Sequence, residues 1–286
     1  MTNTHILTID LEDYFHLNGL GIDIEKYSDY TSRIRLSTDF LLNCLSKYNS
    51  KATFFVLGCI ADKYPDIIKK ISSSGHEIAS HGYYHRLLYN ISYKEALEDI
   101  KRSKNIIESI IGNKIIGFRA PSWSITKNNA HLLNEIKKIG FKYDSSLFPF
   151  KTWLYGSSKF PDYIRKLPSG LIEIPPTISR IGALKIPFSG GIYFRIIPNN
   201  IIYKAIKRTE KMKRPCIFYF HPWEFDPEQP RIDSSFIYKF IHYYGLKNMK
   251  KRFSDLLCRY KFISISEYLT VMGSDLLPIS SLPYCS

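Results

Sequence analysis

Two histidines four residues apart, in Ser80-His81-Gly82-Tyr83-Tyr84-His85, lie downstream of an acidic cluster, Asp10-Leu11-Glu12-Asp13. Two neutral imidazoles and one carboxylate give a borderline-soft divalent cation three protein ligands and leave positions open for water, the composition of a catalytic rather than a structural centre. A second acid beside such a cation can take a proton from the water. Each cluster alone also has an ordinary explanation. Acids cap turns, and an H-x3-H spacing occurs often by chance.

The surrounding pattern places both clusters at strand ends. Ile6-Leu7-Thr8-Ile9 is a short apolar run whose polar residues begin as it ends, which puts Asp10 at the C-terminal mouth of a first strand. A helix from Tyr64 to Ser74 closes at Gly75, His76-Glu77-Ile78-Ala79-Ser80 reads as a strand, and His81 opens the loop after it. Further strands are expected at 52–57, 115–118, 141–144, 171–174, 216–220 and 262–265, and helices at 93–111 and 128–139. Repeated strand–helix units with polar residues at the strand ends argue for a parallel barrel or an open α/β sheet with its site on the C-terminal face. Residues 149–168, rich in aromatics, read as a long loop over that site. Ser189-Gly190-Gly191-Ile192-Tyr193-Phe194-Arg195 reads as a rim loop against a sugar or, equally, as a glycine turn before a strand.

At 286 residues and 44% hydrophobic, the chain can bury a sizeable core. No 18-residue apolar span and no basic-then-apolar leader is seen, which predicts a soluble cytoplasmic protein. Five cysteines (Cys44, Cys59, Cys216, Cys258, Cys285) are odd in number and scattered, so neither a disulfide framework nor a thiolate zinc site is expected. They read as buried thiols, except Cys285 beside the C-terminus. Net charge is +14, with basic stretches at Lys204 to Arg214 and Lys247 to Arg252 that suit an anionic membrane face, a lipid diphosphate or simply solvent. No nucleic-acid module accompanies the charge, so no nucleic-acid partner is expected.

Three more apolar runs end in polar motifs: Arg119-Ala120-Pro121-Ser122-Trp123, Asp144-Ser145-Ser146 and His221-Pro222-Trp223-Glu224. With the acidic cluster and the H-x3-H they form five ordered motifs over about residues 5–225. In these the sequence resembles the polysaccharide deacetylases of the NodB-homology, or carbohydrate esterase 4, superfamily, and within it a subgroup found with exopolysaccharide biosynthesis genes. The resemblance implies a deformed parallel (β/α) barrel of about seven strands, forming one catalytic domain over 1–286 with a C-terminal α/β extension at 226–286. It implies a metal-dependent hydrolase that removes N-acetyl groups from an amino sugar in a glycan or a lipid-linked glycan. The missing leader and the basic C-terminal third, read apart from the resemblance, predict work on the cytoplasmic side, at the inner face of a membrane.

Position by position, Asp10 matches the catalytic base and Arg119 the residue that pairs with it. His81 and His85 match the metal-ligating histidines, His221 the general acid, and Asp144 the acid that orients His221. Trp123 matches an aromatic wall of the acetyl pocket, with Pro121, Tyr193 and Trp223 as further substrate-binding residues. The chain departs from the family at the carboxylate ligand, because Leu11 follows Asp10 where a second aspartate is usual. Strand alternation puts Glu12 on the face of Asp10, whereas a turn beginning at Leu11 would bring Asp13 round. The shorter side chain fixes a metal more rigidly and favours Asp13, with Glu12 kept beside it. Zinc is the expected metal, with cobalt, nickel or iron(II) accepted by the same ligands. The rival readings are another amide hydrolase on the same scaffold, such as a deformylase or a peptidoglycan deacetylase, and an inactive carbohydrate-binding relative. The last is disfavoured because Asp10, His81 and His85 are all present.

Overall fold

The computed structural model describes residues 4–181 and 184–273; Cys285 lies outside them. Strand β1 (Thr4–Leu11) leads through α1 (Ile34–Lys47) to β2 (Thr53–Val56), then α2 (Gly58–Lys63), α3 (Pro65–Ser73), β3 (Glu77–Ser80) and α4 (Tyr93–Ile111). After β4 (Gly117–Phe118), α5 (Leu132–Lys138) and β5 (Tyr143–Asp144) come β6 (Arg165–Lys166), β7 (Ile172–Glu173), β8 (Ile178–Ile181) and β9 (Leu184–Pro187). The remainder holds α6 (Gly191–Ile196), α7 (Asn199–Lys211), β10 (Ile217–Phe220), α8 (Phe236–Tyr243), α9 (Leu246–Arg259), β11 (Lys261–Ile263) and α10 (Ile265–Met272).

The main sheet runs β10-β1-β2-β3-β4-β5-β7-β6, with β11 beside the start of β1; every pairing in it is parallel except β6 with β7. Its parallel strands are buried on both faces, so they read as unbroken apolar runs. Alternation still sorts them: Leu7, Ile9, Leu11, Phe54 and Val56 pack outward under the helices, while Ile6, Phe55, Ala79 and Ile217 pack inside the curl. Thr8 and Asp10 share the inward face of β1 with Ile6. The sheet curls until β10 and β7 approach, and the chain between them spans the interval. Ile217 N donates to Thr177 Oγ1 (2.7 Å), Ser189 Oγ to Thr177 O (2.8 Å) and Tyr219 N to Ser189 O (2.9 Å). The result is a curled half-barrel of parallel strands.

Local sequence explains most boundaries. Pro65 opens α3, and α4 starts at a Ser92/Glu95 capping box and stops at Gly112 in the left-handed region. Other boundaries differ from expectation. The strands expected at 115–118 and 171–174 pair over only two residues each, and the helix expected from Asn128 begins as a tight turn at Lys127–Asn129. The β8–β9 hairpin, the β6 strand inside the long loop and the short α2 and α6 carry too few periodic residues to be read. Cys258 is exposed, against the expectation of a buried thiol. Among the described residues, no helix is long and apolar enough to cross a membrane.

The two basic stretches part company. The C-terminal half of α7 carries the first to the N-terminal end of the sheet, where Glu210 meets His5 (3.5 Å) and Arg214 lies over Tyr163. The second begins α9, which leads down to β11 and therefore starts at the opposite end, beside α8.

Candidate active site

The C-terminal ends of β1, β3, β4 and β10 bring together Asp10 and Glu12, His81 and His85, Arg119, and His221. All are buried, and all except Arg119 also line a cleft of about 350 Å3. β1 persists to Leu11 and the chain then turns tightly, with Glu12 N donating to Asp10 O (2.9 Å), so alternation carries Glu12 inward. The H-x3-H loop needs left-handed backbone at Gly82 and His85. It is pinned by Asp99 of α4, whose carboxylate accepts from Tyr83 N (2.6 Å) and Tyr84 N (3.3 Å).

One ligand atom from each of Glu12, His81 and His85 lies within 4.8 Å of the other two. His81 donates its Nδ1 proton to Arg119 O (2.8 Å), which fixes the ring and leaves Nε2 facing the centre. His85 Nδ1 lies 3.2 Å from the Asn18 amide, and its Nε2 lies 3.0 Å from Glu12 Oε2, a buried oxygen with no hydrogen bond. A carboxylate with an unsatisfied buried oxygen and two ring nitrogens, all facing one point, is a donor set that fits a divalent cation.

Around this set the charges are paired. Arg119 spans the interior, donating to Asp10 Oδ1 (2.6 Å), Thr8 Oγ1 (3.0 Å) and Ser145 Oγ (2.8 Å). His221 Nε2 stands 3.2 Å from Glu12 Oε1 and 3.8 Å from Asp10 Oδ2. Its Nδ1 meets Glu224 Oε1 at 2.8 Å. Glu224 Oε2 in turn lies 2.9 Å from Arg195 Nε, and the rest of that guanidinium donates to the carbonyls of Ile241, His242 and Tyr244 at the end of α8. Burial alone would lower the His221 pKa, but Glu12 and Glu224 prevail and push it up to about 9. Burial also opposes ionisation of Glu12, yet His85 and His221 hold it well below the usual carboxylate range. His81 is lowered to about 4 by burial.

Two expected assignments are corrected. Asp13 faces away from the histidines: its Oδ2 accepts from Ser32 Oγ (2.6 Å), Arg33 N (2.9 Å) and Ile34 N (3.2 Å) at the start of α1, and its Oδ1 from Tyr14 N (3.0 Å). It acts as a helix-start acceptor because its shorter side chain follows the turn outward. Asp144 does not touch His221. It accepts from Ser146 Oγ (2.7 Å) and Ser146 N (2.9 Å) and pairs with the buried Glu173. Burial and the neighbouring Asp144 together raise Glu173 well above its ordinary value.

Of the expected wall residues, Trp123, Tyr193 and Trp223 line the cleft, and Trp223 stacks on His221 with 17° between the rings. Pro121 does not line it; it packs behind, against Gly82. The long loop supplies Phe150, Trp153 and Tyr155, and the glycine segment forms α6, presenting Ile192 and Tyr193. Sequence reasoning missed Glu224, Arg195 and Asp99. Glu224 had a readable signal, since a Glu three residues after His221 and followed by a turn has the spacing of a capping box, and its carboxylate also accepts from His221 N (3.0 Å).

Residues 29–143 match the family model described as Polysaccharide deacetylase, and residues 145–270 one described as Domain of unknown function (DUF3473). The peptidoglycan-N-acetylmuramic acid deacetylase PdaC of Bacillus subtilis is 37% identical over 101 residues, 35% of this chain and 21% of that protein. A peptidoglycan-N-acetylglucosamine deacetylase of Bacillus cereus is 30% identical over 115 residues, 40% of this chain and 42% of that protein. The chain thus spans less than half the length of these curated relatives. A Mycobacterium smegmatis crystal structure assigned to the polysaccharide deacetylases superposes with a TM-score of 0.66 at 20% identity, covering 98% of this chain and 93% of that one, and so shares the fold. The first family match takes in His81, His85 and Arg119, the second His221 and Glu224, and the curled sheet joins them to Asp10 and Glu12. Residues 29–143 thus carry a polysaccharide deacetylase domain.

Proposed function

We propose that this protein hydrolyses the N-acetyl group of an amino sugar in a glycan or lipid-linked glycan. The observation that carries this reading is the meeting, at one cleft, of a two-histidine, one-carboxylate donor set with a separate arginine-paired carboxylate and a carboxylate-paired histidine. Glu12, His81 and His85 would hold the metal, and Asp13 is not among its ligands. Held by these three residues, a divalent cation, zinc by preference, would supply polarisation of the acetamide carbonyl and a more acidic water.

The remaining steps belong to this chain's side chains. Asp10, oriented by Arg119, takes the proton from the attacking water. His221 Nε2, on the other side of Glu12, gives a proton to the departing nitrogen as the C–N bond breaks, leaving acetate and a free amine. Glu224 keeps the opposite ring nitrogen of His221 protonated, the part played by the carboxylate in any acid–histidine pair. Trp123, Tyr193 and Trp223 exclude water and offer flat faces to a sugar ring. Acetate release measured with N-acetylglucosamine oligomers, lipid-linked N-acetylhexosamine and peptidoglycan tests the reading. Turnover of at least one, lost on chelation and restored by zinc, is expected. No release from any of them by metal-loaded protein overturns it.

A further inference from the structure

We infer that the exposed face of α8, together with Trp153, is a lipid-facing ridge that seats the protein on an anionic bilayer with the cleft opening onto its surface. This inference rests on the deacetylase reading and names the setting of its substrate. Phe236, Ile237 and Phe240 of α8 and Tyr244 just after it are 83%, 65%, 43% and 45% exposed, and they fall on one side of the helix. Trp153, 65% exposed, joins them through an edge-on contact with Tyr238 at 5.2 Å. So many large apolar side chains in one patch mark an interaction surface.

Continuity with the cleft and charge select the occupant. Tyr238 and Ile241 of the same helix line the cleft with Leu17, Leu154 and Ile192, so an apolar path runs from the ridge toward Glu12 and the histidines. Around α8 and the start of α9 the chain carries Arg231, Lys239, Lys247, Lys250 and Lys251; Lys239 pairs with Asp233 and Lys251 with Asp255, which leaves a net basic flank of Arg231, Lys247 and Lys250. Apolar and aromatic anchors flanked by basic residues form the pattern of an interfacial helix. A net charge of +14 disfavours a second copy on this face and favours an anionic lipid surface. The basic residues of α7 lie at the other end of the sheet and play no part.

Partitioning onto mixed phosphatidylcholine–phosphatidylglycerol vesicles, against pure phosphatidylcholine, tests this directly. The parent protein is expected to bind the anionic vesicles, more weakly as salt rises, with Trp153 emission shifting to the blue and being quenched by brominated acyl chains; Trp123 and Trp223 are already buried. Combined Phe236→Ser, Ile237→Ser and Phe240→Ser substitutions should weaken partitioning by about tenfold or more and leave acetate release from a short soluble oligomer at the parental rate. Combined Lys204→Glu, Lys207→Glu and Lys211→Glu substitutions should leave partitioning unchanged. Absent binding of the parent, undiminished binding of the serine variant, or a dimer through this face that vesicles do not dissolve overturns the inference. Failure of the deacetylase reading shows up separately, as normal vesicle binding without acetate release from any substrate.

Discussion

Asp10, Glu12 and Asp13 are three acids within four residues, and the end of one strand sends them to three different partners: an arginine, a pair of histidines and the start of a helix. Their exchange is therefore not conservative. Glu12→Gln should fold normally and retain little metal by elemental analysis after loading. Asp13→Asn should keep its metal and instead lose about 1–2 kcal/mol in urea denaturation, because Ser32 and two backbone N–H groups lose a charged acceptor. The opposite pattern of metal loss would return the ligand to Asp13. For the proton donor, Glu224→Gln is expected to lower kcat on the order of 100-fold with KM little changed, and Asp144→Asn should not reproduce that loss. Residue types were legible in the sequence because metal and proton chemistry narrow the choice to His, Asp and Glu. Partner choice was not, since Asp13 and Glu12 differ only in whether alternation or a turn governs the next residue. Arg195 reaches Glu224 through space, from a segment 29 positions earlier in the sequence.

At the scale of elements, the long parallel strands and their helices could be read from apolar runs and caps, whereas the seam between β7 and β10 could not. That seam is built from irregular backbone, with Gly190 bridging to Tyr219. A Cβ on Gly190 would stand 2.0 Å from Tyr219 O, so this glycine is required by close approach rather than by its extended backbone angles. Gly190→Ala should push α6 away from β10, costing about 1–3 kcal/mol and raising KM through displaced Tyr193. Denaturation and steady-state kinetics on the one variant check both effects. The strands β4, β5 and β7 were expected in place, but their pairing over only two residues each was not, for a related reason. Each is set by its neighbours in the sheet, and two residues carry no period of their own.

For the whole molecule, buried neutral histidines should make stability fall in acid, and three of them, His5, His76 and His242, lie away from the metal ligands. His5 and His76 accept backbone N–H bonds at Nδ1 from Cys216 and Ala52, which requires the neutral ring, and His242 is buried against Trp223. Burial lowers them to about 4, about 4 and about 3 respectively. Because the unfolded chain takes up protons below about 6.5 and the folded one does not, their contribution is fully present above that pH. It falls away as the pH drops toward 4, at about 1.4 kcal/mol per pH unit for each histidine. Urea midpoints between pH 7.5 and 4.5 should show this decline. Combined His5→Gln and His76→Gln replacement should flatten it, and an unchanged slope would place the titrating groups elsewhere. The grip of Arg195 on the last carbonyls of α8 also makes the proton donor the joint property of three separate stretches, 191–196, 221–225 and 236–244. A graft, truncation or chimera that keeps every metal ligand but replaces one of these stretches severs the chain of contacts to His221. The three must be inherited, or transplanted, together.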